Sequence, residues 1–327
     1  METKMSIISK DISKAIQLLT AEDIVAIPTE TVYGLAGNIY SEKAIKAIFE
    51  TKRRPFFNPL IVHIPSIDEL SNIVEHIPAK AQLLAEAFWP GPITLVLKKK
   101  GIIPDLITGG KDTVAVRVPN HPTTLELLNR LDFPLAAPSA NPFSSISPTT
   151  AQHVEAYFKD AIKMVLDGGA CTSGIESTII GFENDEPMIY RLGSKSLEDI
   201  EAIVGTIEIK NSVKSQTEAI PDAPGMLERH YAPKTKTILT TNILESINLH
   251  KNKRIGLLTF QSEIDHPNIE VQIALSTSGV LVESASNLYD VLHQLDKMHL
   301  DIIIAEEFPD YGLGKSINDR LTRATKH

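Results

Sequence analysis

The chain has 327 residues, 43% of them hydrophobic and 22% charged, with a formal net charge of -9 at pH 7. That length exceeds the size at which one hydrophobic core keeps growing, so two domains are expected, and the composition allows a full buried core. The acidic balance argues against a broad nucleic-acid-coating surface, and Cys171, the single cysteine, excludes a disulfide framework and a thiolate metal cluster.

The first residues, Met1 to Leu19, mix Glu2, Lys4, Lys10, Asp11 and Lys14 with isoleucines and lack the unbroken apolar core of a signal peptide. No segment approaches the ~18 consecutive apolar residues of a membrane helix, so a cytoplasmic protein without membrane contact is expected. Ile24–Ile27 reads as a buried strand, followed by the hydroxyl-rich turn Pro28-Thr29-Glu30-Thr31-Val32-Tyr33-Gly34. Ser41 is placed to cap a helix whose Ala44, Ile45, Ile48 and Phe49 share one face. That helix ends in Lys52-Arg53-Arg54-Pro55 and leads into the turn Asn58-Pro59-Leu60. Cations at a helix C-terminus often only complement the macrodipole. Three adjacent ones before a proline, beside an amide turn in an acidic chain, point instead to a pocket for a small polyanion, a nucleoside triphosphate foremost.

Leu60–Ile64 reads as a second strand with His63 at its centre, and Ser66 opens a further helix. By default His63 is a half-buried core histidine; no metal role is expected without a second ligand at suitable spacing. Further strands are expected at Ile93–Lys98, Val114–Val118, Leu135–Ala137, Lys163–Leu166, Ser177–Phe182 and Met188–Leu192. Arg117, inside Val-Ala-Val-Arg-Val, either faces solvent or needs a buried anion. Ser139, Asn141, Ser144, Ser145 and Ser147 form a loop before Pro148, the expected start of a helix. Such a loop suits phosphate or ribose, and equally an ordinary capped turn. Gly168-Gly169 and Gly174-Ile175-Glu176-Ser177-Thr178 repeat a flexible backbone followed by hydroxyls, and Arg191 precedes Gly193.

Periodicity fades from Ile207 to Lys236, where Pro221, Pro224, Gly225 and Pro233 surround Met226, Arg229, His230 and Tyr231. A long segment with an aromatic and cations inside reads as a lid rather than a spacer. Arg254–Phe260, Val271–Leu275 and Asp301–Ala305 are expected strands, and Val282–Met298 an amphipathic helix, of a second α/β domain of roughly 90 residues. Two motifs are set aside. Gly312-Leu313-Gly314-Lys315-Ser316 resembles a P-loop tail, but Pro309 occupies the earlier glycine position, so capping or packing is expected. Cys171 has no adjacent base in view.

The stretches Pro28–Gly34, Lys52–Leu60, Trp89–Thr94, Val116–Pro119, Ala137–Asn141, Ser147–Thr149 and Gly174–Ile179, in this order, resemble the YrdC-like family of threonylcarbamoyl-AMP synthases. The segment Pro224–Pro233 and the tail Gly312–Arg323 resemble its two-domain branch. The resemblance implies an α/β fold: residues 1–206 as a YrdC-like twisted mixed sheet with flanking helices around a positively charged cavity, 207–236 as a lid, and 237–327 as a Rossmann-like α/β domain. It implies that L-threonine, bicarbonate and ATP, with Mg²⁺ accompanying the ATP, give threonylcarbamoyl-AMP and pyrophosphate. The product would pass to a tRNA threonylcarbamoyl-transfer complex, with direct tRNA contact left open.

Carried over by position, Thr31, His63, Arg117 and Ser177, with the backbone of Ala137, would line the threonine site, Arg117 meeting the threonine carboxylate. Lys52, Arg54, Asn58, Thr113, Ser139, Ser147 and Arg191 would hold ATP, Tyr231 would close over it, and Lys52 and Arg54 would act on the reacting phosphate. Glu30 and Glu176 either hold magnesium or cap turns. A non-catalytic RNA-binding module of the same fold is the main rival; few clustered cations and 6% aromatics disfavour it. The carbamoyl-transfer protein of hydrogenase maturation shares the domain, but one cysteine does not supply its expected zinc modules.

Overall fold

The computed structural model describes residues 6–210, 221, 223–225 and 231–326. Met226, Arg229 and His230 of the expected lid lie outside the described residues. The first domain contributes β1 (Ile8–Ser9), β2 (Val25–Ile27), β3 (Gly34–Asn38), β4 (Ile61–His63), β5 (Ile93–Lys98), β6 (Thr113–Arg117), β7 (Leu135–Ala136), β8 (Val165–Leu166), β9 (Thr178–Glu183), β10 (Glu186–Arg191) and β11 (Glu208–Ile209). They form one mixed sheet in the order β1-β8-β2-β3-β7-β4-β6-β5-β9-β10-β11.

Most of these strands are short β-branched or aliphatic runs. β3 is the exception, with the sequence Gly-Leu-Ala-Gly-Asn. A Cβ at Gly37 would lie 3.1 Å from Ile48 and 3.3 Å from Ala44, so the helix Glu42–Lys52 packs almost on the strand backbone. Small residues are what that approach requires, and their low strand propensity hides the element from sequence reading.

The register gives the sheet two distinct faces. Ile61 pairs with Ala115 and His63 with Arg117, while Val96 pairs with Ala115 and Thr94 with Ile179. Since alternate residues share a face, His63, Arg117, Thr94 and Ser177 stand on the same side as an apolar patch of Ile61, Val96, Ala115 and Ile179. The opposite side carries Val62, Leu95, Val116, Ile180 and Ile189, buried in the main core under Ile45, Ile48, Phe49, Leu84 and Ala85 of the helices. One sheet face therefore holds the fold together and the other presents the polar groups.

One expectation is corrected at a helix start. Pro148 does not begin a helix; Thr150 caps Ala151–Phe158, its hydroxyl accepting from the His153 amide. Ser66 opens a helical stretch as expected, a 3₁₀ turn Ile67–Glu69 running into the short helix Leu70–Ile73, without a side-chain capping bond.

The second domain has a parallel sheet of β12 (Thr237–Thr240), β13 (Ile255–Thr259), β14 (Ile269–Ala274) and β15 (Ile302–Glu306), ordered β12-β15-β13-β14. The expected helix runs Leu281–Asp296. The P-loop-like tail opens the helix Leu313–Ala324, where a Cβ at Gly314 would overlap the Pro309 carbonyl oxygen, so packing explains that glycine. The second core joins Leu258, Tyr289, Leu292 and Leu321 to Val32, Ile146 and Ile175 of the first domain. The two domains thus share buried apolar surface, through loops of the first. Among the described residues no helix is long and apolar enough to cross a membrane.

Candidate active site

The helix Glu42–Lys52 starts where expected, the Ser41 hydroxyl accepting from the Ala44 amide. It ends with Arg53 in the left-handed region (φ 52°) and the Arg54 amide donating to the Phe49 carbonyl. That reversal leaves Arg53 exposed and turns Lys52 and Arg54 inward, 1% and 6% exposed. The Lys52 ammonium donates to the carbonyls of Ser139 and Asn141. Arg54 donates to the Asn58 side-chain oxygen at 2.6 Å and to the Asn58 and Pro59 carbonyls. Arg191, at the end of β10, donates to the carbonyls of Ser177 (2.7 Å) and Pro224 (3.1 Å).

Among the described residues, none of these three buried cations is within salt-bridge distance of a carboxylate; their hydrogen bonds go to neutral oxygens, and the buried Arg191 Nε has no partner among the described residues. Burial, reinforced by Arg54, holds the Lys52 ammonium well below its usual range. Burial likewise brings Arg54 down to about 9 and lowers Arg191. These groups are held at a cost that a nearby anion would relieve.

Arg54 and Arg191 border a hollow lined also by Arg117, His63, Thr31 and Ser177, with Ala137, Ser139, Glu176 and Tyr231 among the remaining walls. Nine of the residues expected to bind threonine or ATP therefore meet at one hollow, and Glu176 with them. Lys52, Asn58 and Ser147 stand behind its wall, Asn58 orienting Arg54. Thr113 shares the cavity face of β6 but sits at the end of the strand remote from Arg117, outside the lining.

Arg117 points inward, yet its anion is internal. Its guanidinium lies 2.6 Å from the Glu30 carboxylate and donates to the Thr31 hydroxyl at 2.9 Å. The expectation that a bound carboxylate is needed to resolve its burial is thus corrected. Glu176 is engaged as well: it accepts from Ser147 (2.6 Å), Tyr289 (2.9 Å) and Arg320 (2.9 Å). Burial alone would raise its pKa, but Arg320, Arg191 and the Ser147 hydroxyl outweigh burial and lower it. Both carboxylates left open by the sequence are charge partners of arginines.

His63 is fully buried rather than half-buried, and burial together with Arg117 pushes it down to about 3, so the imidazole is neutral. Its Nδ1 has no partner among the described residues, a directional contact offered without added charge. The Ser177 hydroxyl is shared with Thr94 at 2.7 Å. Cys171 is buried and pushed up to about 12 by desolvation, an inert thiol.

Tyr289 and Arg320, both from the second domain, were not anticipated. Arg320 did leave a signal: it falls within the apolar stripe Ile317, Leu321 and Ala324, where a cation must face inward. Tyr289, among Ala285, Leu288 and Leu292, reads only as core.

Two family models cover the chain. The Sua5/YciO/YrdC model, described as telomere recombination, matches residues 17–193, and the model of the threonylcarbamoyl-AMP synthase C-terminal domain matches residues 195–325. The threonylcarbamoyl-AMP synthase of Pyrococcus abyssi is 39% identical over 306 residues, 92% of this chain and 90% of that protein. That of Bacillus subtilis is 38% identical over 320 residues, 96% of this chain and 92% of that protein. The crystal structure of P. abyssi Sua5 complexed with L-threonine superposes with a TM-score of 0.89 at 38% identity, covering 96% of this chain and 94% of the other. With both domains matched in order and at nearly full length, the chain belongs to the threonylcarbamoyl-AMP synthase family in its two-domain form.

Proposed function

We propose that this chain condenses L-threonine, bicarbonate and ATP into L-threonylcarbamoyladenylate, acting as a nucleotidyltransferase. The observation that carries this reading is the set of buried cations, Lys52, Arg54 and Arg191, hydrogen-bonded to neutral oxygens at or behind the wall of one cavity. In a chain of net charge -9, such an interior is built for an anion. Its enclosure argues against the RNA-binding alternative, which needs cations on an open surface.

The chemistry matches what the residues offer. Bicarbonate and the threonine amine give a carbamate and water. A carbamate oxygen then attacks the α-phosphorus of ATP, and the bond to pyrophosphate breaks. The carbamate is already a nucleophile, so no strong general base is required; the difficulty is bringing two anions into contact. Arg54 and Arg191 would neutralise the phosphates and Lys52 would stiffen the Ser139–Asn141 wall or turn to the ligand. Thr31, His63 and Ser177 would hold the amino acid beside Arg117, with the Ala137 backbone at its edge. Tyr231 and the apolar patch of Ile61, Ala115 and Ile179 would keep water from the carbamate and the mixed anhydride, both of which hydrolyse readily.

Mg²⁺ would enter the site as part of the ATP substrate. Among the described residues no group of three His, Cys, Asp or Glu side chains is placed to hold a metal, and Glu30 and Glu176 are already paired with arginines. Phosphate oxygens would carry it, as is common for this ion. The transfer complex that takes the adenylate and a cytoplasmic location belong to the same reading.

A pyrophosphate-release assay with threonine and bicarbonate each omitted in turn tests it. Release is expected only when both are present with ATP. Pyrophosphate formation that ignores threonine would overturn the proposal.

A further inference from the structure

Two helices of the second domain reach the cavity wall through paired side chains one helical turn apart. From Leu281–Asp296, Tyr289 donates to Glu176 and His293 meets the Ser147 carbonyl at 3.1 Å. From Leu313–Ala324, Ser316 donates to the Gly193 carbonyl at 2.8 Å. Arg320, one turn later, donates to Glu176 at 2.9 Å and to the Leu192 carbonyl at 2.6 Å. Its guanidinium also lies 4.9 Å over the Tyr231 ring, while Asp319 holds its remaining edge at 2.5 Å. Arg320 is 1% exposed. The docking is close elsewhere too: a Cβ at Gly174, whose φ is +71°, would lie 2.2 Å from the Ser286 carbonyl oxygen.

The gripped atoms are not scattered. Ser147 and Glu176 are tied to each other, Glu176 precedes Ser177, and Leu192 follows Arg191 directly. Arg191 in turn donates to the Ser177 carbonyl. One arginine of the second domain therefore holds the residue before Ser177, the residue after Arg191 and the ring of Tyr231. These are three separate pieces of the cavity wall, and Arg320 itself is not part of the lining.

We propose that Arg320 is a positioning residue of the active site, through which the second domain sets the placement of Arg191 and Tyr231 for the nucleotide. It touches no substrate. Its fork fixes Glu176 and the Leu192 carbonyl, and its face fixes the Tyr231 ring, so the triphosphate meets a wall already in place. The second domain is thereby a working part of the site; of the threonine-side groups, Thr31, His63 and Arg117 stand outside its grip, and Ser177 alone adjoins it through Glu176 and Arg191. The proposal rests on the ATP-dependent reading of the cavity.

The test compares the full-length wild type with Arg320→Met, Glu176→Gln/Arg320→Met and Tyr289→Phe by pyrophosphate release, taking KM for ATP, KM for threonine and kcat separately. The wild type checks the functional reading first, because absence of threonine-dependent release there would fell that reading and this inference together. With an active wild type, Arg320→Met should raise KM for ATP by roughly ten- to a hundredfold while KM for threonine changes by less than about threefold. A merely structural role would lower the active fraction, and so kcat, without that split. The double variant removes the carboxylate that Arg320→Met would strand, and it should regain the wild-type melting temperature but keep the raised KM for ATP. Wild-type KM for ATP in the double variant would reduce Arg320 to a counter-charge and overturn the proposal. Should both arginine variants fail to fold, Tyr289→Phe decides, since it deletes one hydroxyl from the same grip. A severalfold rise in KM for ATP supports the positioning role, and an unchanged value overturns it.

Discussion

Lys52, Arg54 and Arg191 carry charge into the protein interior, and their hydrogen bonds go to neutral carbonyl, amide and hydroxyl oxygens. Truncating one of them differs from truncating half of a buried ion pair. Arg54→Ala leaves behind only the Asn58 side-chain oxygen and two carbonyls, with no stranded carboxylate. It should weaken ATP binding by roughly 1.5–3 kcal/mol, the scale of a charged hydrogen bond, while the urea midpoint of the empty protein stays level or rises. Calorimetric titration with a non-hydrolysable ATP analogue would measure the first quantity. Unchanged nucleotide affinity would remove Arg54 from the site. At this scale the sequence was informative about residue type and less so about direction. Lys52 and Arg54 stood out because cations closed an apolar helix, but that Arg53 stays outside depends on one left-handed residue, which adjacent side chains of like charge do not disclose.

Among elements, visibility followed composition. β5 was legible to the residue because Ile-Thr-Leu-Val-Leu-Lys is a β-branched run bounded by turns, whereas β3 was missed because its glycines serve the helix above it. The stacked pair His153 and His293, 3.9 Å between ring centres, joins the helix Ala151–Phe158 to the helix Leu281–Asp296 across the domain boundary. It too was invisible, since neither residue lies near the other in the chain. Burial pushes His153 down to about 4 and His293 down to about 3, as it does His63. Each folded pKa is depressed below the unfolded value near 6.5, so between that value and about 4 the unfolded chain binds protons that the folded chain refuses. Stability present at pH 7 is therefore lost as pH falls through this window, by up to about 1.4 kcal/mol per pH unit for each histidine. Urea midpoints at pH 7 and pH 5 check it: a marked drop is expected, and equal midpoints would contradict the buried neutral assignment.

For the molecule as a whole, the fold is two α/β domains, and the surfaces between them are more deeply shared than a linker implied. Val32, Ile146 and Ile175 belong to the second core, and Glu176 draws two of its three partners from beyond residue 280. A chain ended at Lys210 should keep the first sheet, lose turnover by roughly a hundredfold or more, and bind a hydrophobic dye that the full chain does not. Turnover near the wild-type level in that truncation would make the second domain dispensable. The spacing of one contact also has a bearing on synthesis. Arg320 is joined to the chain 144 residues after Glu176, so at ribosomal speeds the carboxylate waits on the order of ten to thirty seconds for its guanidinium. If Arg320 positions the nucleotide wall as proposed, a nascent first domain should lack a finished one, and the short-lived adenylate should not be made by polypeptides still under construction.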